Sequence, residues 1–141
     1  MVARLGLEPI PEEGGWFRVT WRTAAAGCIV CVFGDGDDGF SALHRLSVSE
    51  LWFAHAGAPF ELTLLHPDGT SEVVVLDGGV RPQAVAEPGT WMGGRPLGPW
   101  SLLSTVTVPA FTDGAFTLGR RDELVAAYPD RTAEITRLTR G

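Results

Sequence analysis

The chain has 141 residues, and its 45% hydrophobic content suits one domain with a packed core over residues 1–141. Its 11 basic and 17 acidic residues give a net charge of −6, which argues against a nucleic acid partner. No apolar run is long enough to cross a bilayer and no leader pattern opens the chain, so the sequence predicts a cytoplasmic protein without a membrane partner.

A nearly continuous apolar run over residues 27–33 predicts a strand that is covered on both faces. It follows a first strand that begins at Trp16 and alternates bulky and polar residues. Cys28 and Cys31 lie within the run, but no second cysteine pair is present to complete a zinc site. We therefore predict structural thiols rather than a redox pair, in keeping with a reducing cytoplasm.

The next segment, residues 34–39, reads Gly-Asp-Gly-Asp-Asp-Gly. Its acidic spacing is similar to part of a calcium loop, but the length, the later Glu and the flanking helices of such a loop are missing. The segment is therefore predicted to be a solvated turn.

The central segment, residues 40–57, holds two of the three histidines and a carboxylate among strand-forming residues. Strands are predicted at residues 40–46 and 50–56, and strand alternation places Glu50 on the same face as Trp52. A His44 and Glu50 pair on the inside of a sheet would form a small polar centre in an apolar pocket. If the protein is an enzyme, we expect its chemistry here.

The rest of the chain predicts more short strands about ten residues apart, with Gly and Pro turns between them, followed by helices. Such spacing is typical of a β-sandwich or barrel. The predicted strands are residues 60–65, 72–76, 81–85, 91–92 and 100–108, and the helices are residues 120–128 and a second one that begins after Asp130.

Several blocks of sequence together form a recognisable pattern. In chain order they are Pro11-Glu-Glu-Gly-Gly-Trp-Phe-Arg18, Phe40-Ser-Ala-Leu-His-Arg-Leu46, Glu50-Leu-Trp52, Pro82-Gln-Ala-Val85, Pro88-Gly-Thr-Trp91, Trp100-Ser-Leu102 and Tyr128-Pro129. Over nearly its whole length the chain resembles the cupin superfamily, specifically the Cupin_5 or DUF985 family of small RmlC-like cupins. This resemblance implies a mainly β, cupin-type jelly-roll barrel or sandwich with a pocket inside, short C-terminal helices and a homodimer.

The resemblance also bears on metal binding. The general cupin pattern supplies a His-x-His pair, a Glu, a Gly and a later His, and here His44, Glu50 and Gly57 match it. Leu46 and Met92 stand where the other two His ligands belong. Neither side chain can replace an imidazole toward a first-row metal, so we predict no metal and no cofactor.

Without a metal, His44 can act as general base or acid with Glu50 as its partner, as in the metal-free sugar epimerases that the chain distantly resembles. We predict a small-molecule-binding cupin that acts as an isomerase, epimerase or cyclase-like enzyme on an apolar metabolic intermediate. Two alternatives stay open: a non-catalytic binding protein, and a metal-dependent oxygenase or lyase. The residues predicted to hold the substrate are Arg45, Trp52, Gln83, Trp91, Met92 and Trp100.

Overall fold

The computed structural model describes residues 2–34, 36 and 39–141. The turn predicted at residues 34–39 falls largely on Asp35, Asp37 and Asp38, and so lies outside the described residues. In the described part of the chain, two antiparallel β-sheets pack face to face and short helices cover one of them. No helix among these residues is long and apolar enough to span a membrane.

The elements in chain order are α1 (Val2–Leu5), β1 (Glu8–Pro9), β2 (Trp16–Arg22), β3 (Gly27–Gly34), β4 (Ser41–Leu46), β5 (Ser49–Gly57), β6 (Phe60–Leu65), β7 (Ser71–Leu76), β8 (Gln83–Ala86), β9 (Trp91–Pro96), β10 (Trp100–Val108), β11 (Phe116–Leu118), α2 (Arg121–Ala127) and α3 (Thr132–Arg137). Two short 3-10 turns, Asp113–Ala115 and Pro129–Arg131, precede β11 and α3.

The larger sheet has the strand order β1-β2-β3-β10-β5-β8, and the smaller sheet has the order β11-β4-β9-β6-β7. The first three strands of the larger sheet follow one another in sequence, but β10 then lies between β3 and β5. The chain thus passes back and forth between the two sheets. This arrangement is the jelly-roll sandwich that the strand spacing and the resemblance predicted.

One difference from the predicted elements lies at residues 93–99, which were expected to form a loop because they are rich in Gly and Pro. Instead β9 continues through Gly93 and Gly94 as the central strand of the smaller sheet. A Cβ atom at Gly93 would lie 2.8 Å from the carbonyl oxygen of Ser41, and one at Gly94 would collide with the ring of Phe60. The two glycines therefore permit close packing within a strand rather than a turn.

The inner faces of the sheets are filled at one end of the sandwich only. Trp52 stacks on Phe60 with ring centroids 5.8 Å apart, and Phe33 lies 5.3 Å from Phe60 in the same buried cluster. Toward the other end, the inward row of the larger sheet changes to Glu50 paired with Thr107, both of which face a cavity. The same strands thus build a core at one end and a polar pocket at the other.

The C-terminal helices pack on the outside of the smaller sheet. Leu124 of α2 and Ile135 of α3 form a second buried cluster with Leu43 and Leu65. The hydroxyl group of Tyr128 donates a 2.6 Å hydrogen bond to the carbonyl oxygen of His66. The predicted helices are confirmed, and they brace β4, the strand that carries His44.

Candidate functional site

The open end of the sandwich holds a cavity of about 810 Å³. This volume lies within the usual range for sites that bind small molecules. Its walls come from the segment before β2, from β2, β3, β4, β5 and β10, and from the chain between β10 and β11. Apolar side chains form most of the walls: Ile10, Phe17, Val19, Ile29, Leu46, Phe111 and Phe116.

His44 is the imidazole of this cavity, and it is 2% exposed. Its Nδ1 lies 2.7 Å from the carbonyl oxygen of Ala42. Because a carbonyl oxygen can only accept, Nδ1 carries a proton, and Nε2 is the ring nitrogen left to accept one. The ring stacks on Phe116, with centroids 5.3 Å apart and planes 19° apart. Backbone and aromatic contacts therefore fix both the tautomer and the orientation of His44.

Glu13 is the carboxylate nearest to this imidazole, with Oε1 3.6 Å from Nε2 of His44. Its other oxygen, Oε2, accepts a 2.7 Å hydrogen bond from the hydroxyl group of Ser41. The backbone carbonyl of Glu13 accepts hydrogen bonds from the Ala42 amide at 2.9 Å and from Arg140 Nη1 at 2.8 Å. The loop before β2 is thus tied to β4 and to the C-terminal end of the chain.

Glu13 was missed from the sequence, because the segment before Trp16 was used only as part of the family pattern and was assigned no site residue. Two adjacent acidic residues followed by Gly14-Gly15 were the available signal. Both glycines adopt positive φ, 106° and 78°, which few other residues tolerate. Such a turn can bring a carboxylate back over a sheet.

Glu50 lies on β5 and is 8% exposed. Burial raises the pKa of its carboxyl group well above the ordinary value, and the nearby charge of Glu13 raises it further. In the described part of the chain its side chain has no hydrogen-bond or ion-pair partner, although it lines the cavity. Glu50 therefore presents to the cavity a buried carboxyl group with a raised pKa.

His44 and Glu50 line one cavity, as their predicted positions on inward strand faces require. Among the described residues, however, no hydrogen bond or ion pair joins them. The carboxylate beside the imidazole is Glu13, and the predicted pair becomes a set of three groups.

Two of the predicted substrate contacts belong to the core instead of the cavity. Trp52 and Met92 are fully buried, and the indole Nε1 of Trp52 donates to Sδ of Met92 at 3.4 Å. Trp52 shares a strand face with Glu50, but two residues further along β5 that face is covered by Phe60 and its neighbours. Strand alternation identifies the inward face but cannot tell its packed part from its open part.

The other four predicted contacts also lie outside the lining of the cavity. The guanidinium group of Arg45 stacks over Trp91 at 4.7 Å, and Trp91 packs against the helical cluster on the outside of the smaller sheet. Gln83 is exposed on β8, and Trp100 packs on Gly57 at the far end of the sandwich. None of the six predicted substrate contacts lines this cavity, so a molecule bound in it would meet other side chains.

Comparison with known proteins supports the fold. The family model described as the cupin superfamily (DUF985) matches residues 1–119. The chain belongs to this family. No curated protein matches it.

Solved structures of other proteins share this fold. Protein SO0799 from Shewanella oneidensis has 28% identity and a TM-score of 0.89, over 99% of this chain and 94% of that one. A hypothetical protein from Leishmania major has 24% identity and a TM-score of 0.86, over 99% and 97%. Oxalate decarboxylase from Bacillus subtilis has 14% identity and a TM-score of 0.66, over 94% of this chain and 37% of its own length, and shows the shared fold alone.

The side chains of this cupin do not fit the metal centre of the general cupin pattern. Leu46 presents hydrocarbon to the cavity, and the sulfur of Met92 is engaged by the indole of Trp52 in the core. Within the described residues, no group of three or more His, Cys, Asp or Glu side chains is arranged to hold a metal ion. No reaction step is therefore assigned to a metal ion.

The two cysteines offer no alternative centre among the described residues. Both are free, and burial raises the pKa of the Cys31 thiol, with further increases from the charges of Glu13, Glu50 and Cys28. A separation of three residues places them on opposite faces of β3. These findings agree with the prediction of structural thiols rather than a redox pair.

Proposed function

We propose that this cupin binds an apolar small molecule in the cavity and catalyses proton transfer on it without a metal, as an isomerase, epimerase or cyclase-like enzyme. One observation carries the proposal. Nδ1 of His44 is committed to the Ala42 carbonyl, so that its basic Nε2 remains in the cavity beside a carboxylate. An imidazole fixed in this way is the arrangement that general acid–base catalysis requires.

The base in this mechanism is Nε2 of His44. It would remove a proton from a carbon next to a carbonyl group of the substrate. The imidazolium that forms would lie 3.6 Å from Oε1 of Glu13, whose charge stabilises it. Ser41 holds the other oxygen of Glu13 and so keeps the carboxylate in place. Glu13 therefore takes the partner role that the sequence assigned to Glu50.

Glu50 would supply the acid. Its raised pKa extends the protonated form to higher pH than in a free glutamate, and it lines the same cavity as His44. A base and an acid whose environments differ can deliver and remove protons in one turnover. Isomerisation and epimerisation need such a pair, because the proton is returned at a different atom or on a different face.

The test is exchange of substrate protons with solvent. The protein is incubated in deuterated buffer with a panel of aryl and alkyl ketones and aldehydes, and loss of the proton next to the carbonyl is followed by NMR. We expect protein-dependent exchange that is lost in His44→Gln and reduced about a hundredfold in Glu50→Gln. Glu87→Gln, which changes an exposed carboxylate outside the cavity, is the matched control and keeps the wild-type rate.

Other results would favour the alternatives. Compounds that bind in the cavity but exchange no protons and are released unchanged would indicate a non-catalytic binding protein, which the apolar walls of the cavity also suit. Exchange that is abolished by a chelator and restored by a first-row metal would contradict the metal-independent proposal. It would move the search to metal-dependent oxygenase or lyase chemistry.

A further inference from the structure

We propose that the cavity selects an apolar organic cation, a protonated amine on an aromatic or aliphatic body, over neutral or anionic molecules of the same shape. This inference rests on the proposed binding function and names the class of its ligand.

The charges around the cavity are mostly negative. Glu13 lies in its interior, Glu12 and Asp113 are exposed lining residues, and a cation bound beside Glu50 would favour the ionised form of that buried carboxyl group. Arg22 is the lining residue of opposite charge in the described part of the chain, and its Nη2 already donates a 2.8 Å hydrogen bond to the Phe111 carbonyl. A concave site of this charge with low-dielectric walls attracts cations and repels anions.

The carboxyl group of Glu50 is the clearest sign of an incomplete site. It is more than nine-tenths buried, lines the cavity and has no partner among the described residues. A buried polar group is normally hydrogen-bonded, because a missing partner costs free energy. A ligand ammonium group would supply a donor and a positive charge together, and Glu13 lies close enough to raise the pKa of Glu50 through its own charge.

The body of the ligand is indicated by the walls. Phe17, Phe111 and Phe116 line the cavity together with several aliphatic side chains. Aromatic faces attract a nearby cation as well as packing against hydrocarbon. The carboxylates would bind the positive charge of the ligand, and the apolar walls would contact the rest of it. Both features favour an apolar organic cation.

Three probes of one shape test the inference: naphthylmethylamine, naphthalenemethanol and naphthoate. Their affinities are measured by isothermal titration calorimetry at neutral pH, where the amine is a cation and naphthoate an anion. We expect the amine to bind at least about tenfold more tightly than the alcohol, and naphthoate to bind most weakly. In Glu13→Gln and Glu50→Gln the affinity for the amine falls by about tenfold relative to the affinity for the alcohol.

Glu87→Gln again serves as the control, since it makes the same change of net charge away from the cavity and should keep the amine preference. Equal or tighter binding of the alcohol or naphthoate to the wild type would overturn the inference and leave the binding function in place. Failure of all three probes would also overturn it, and the ketone and aldehyde panel would then decide the proposed function separately. An amine preference that both glutamine variants retain would overturn the assignment to these two carboxylates.

Discussion

The unusual residue of the cavity is Glu50, because folding takes its carboxyl group out of water without giving it a partner among the described residues. His44 and Glu13 differ from it in this respect: each has a named contact that fixes its geometry. A site that leaves one buried group unsatisfied gives up some stability for function. The loss of stability can be measured through the pH dependence of the free energy of unfolding.

The raised pKa of Glu50 sets the sign of the effect. In the unfolded chain a glutamate releases its proton near pH 4.3. In the native protein Glu50 keeps its proton to higher pH, so above that value the native state binds more protons than the unfolded state. The contribution of Glu50 to stability is therefore fully present at low pH and is lost as pH rises through its raised native pKa.

We accordingly predict that Glu50→Gln is more stable than wild type at pH 8, by a margin on the order of 1 kcal/mol, and that the margin narrows toward pH 5. The measurement is the free energy of urea unfolding of both proteins across this pH range. Glu87→Gln should follow the wild-type curve, since its carboxylate is exposed. A margin that is independent of pH, or that shrinks as pH rises, would contradict the assigned shift.

At the scale of elements, the loop between β1 and β2 decides whether Glu13 reaches His44. Its Gly15 has φ of 78°, and a Cβ atom there would lie 2.5 Å from the ring of Phe33. Both the backbone conformation and the close approach exclude a side chain. The loop therefore packs on the core on one side and brings Glu13 to the imidazole of His44 on the other.

Gly15→Ala should lower the free energy of unfolding by about 2 kcal/mol or more and weaken ligand binding, because Glu13 is displaced. Two matched variants separate the causes. Gly69→Ala adds a methyl group at positive φ into open space, and Gly114→Ala adds one into open space with no such φ, so each should cost less and leave binding unchanged. Equal losses of stability in all three variants, measured by urea unfolding, would exclude the close contact with Phe33 as the cause.

At this scale it is also clear which site residues the sequence pattern could predict and which it could not. Alternation placed His44 and Glu50 on inward faces, because the pleat of a strand enforces a period of two. It could not separate Glu50 from Trp52, since the core ends and the cavity begins along one face of β5. It could not find Glu13 either, because a tight turn and contacts with β4, about thirty residues later, bring that carboxylate to His44. Local pattern predicts faces, whereas packing decides which part of a face stays open.

At the scale of the whole molecule, the outer face of the larger sheet carries a row of apolar side chains. Leu51 pairs with Val106 on one side and Val85 on the other, and this row continues from Val106 through Cys28 to Trp21. Its parity is opposite to that of Glu50, so the side chains of the row point to the other side of the sheet. Trp21 is 56% exposed and Val85 47% exposed, and in the described residues no element covers them. Apolar rows of this extent are typical of interfaces between protein chains.

We expect a second copy of the chain to cover this face, in line with the homodimer that the family resemblance implies. A twofold axis would bring one copy of the row against the other, so that each substitution acts twice in the interface. Trp21→Glu should therefore convert the dimer to a monomer in light scattering across a dilution series, because two charges would be buried without partners. Val80→Glu is the matched control, since Val80 is 87% exposed in the turn that precedes β8 and lies outside the row. A monomeric wild type, or a dimer that withstands Trp21→Glu, would show that this face is not the interface.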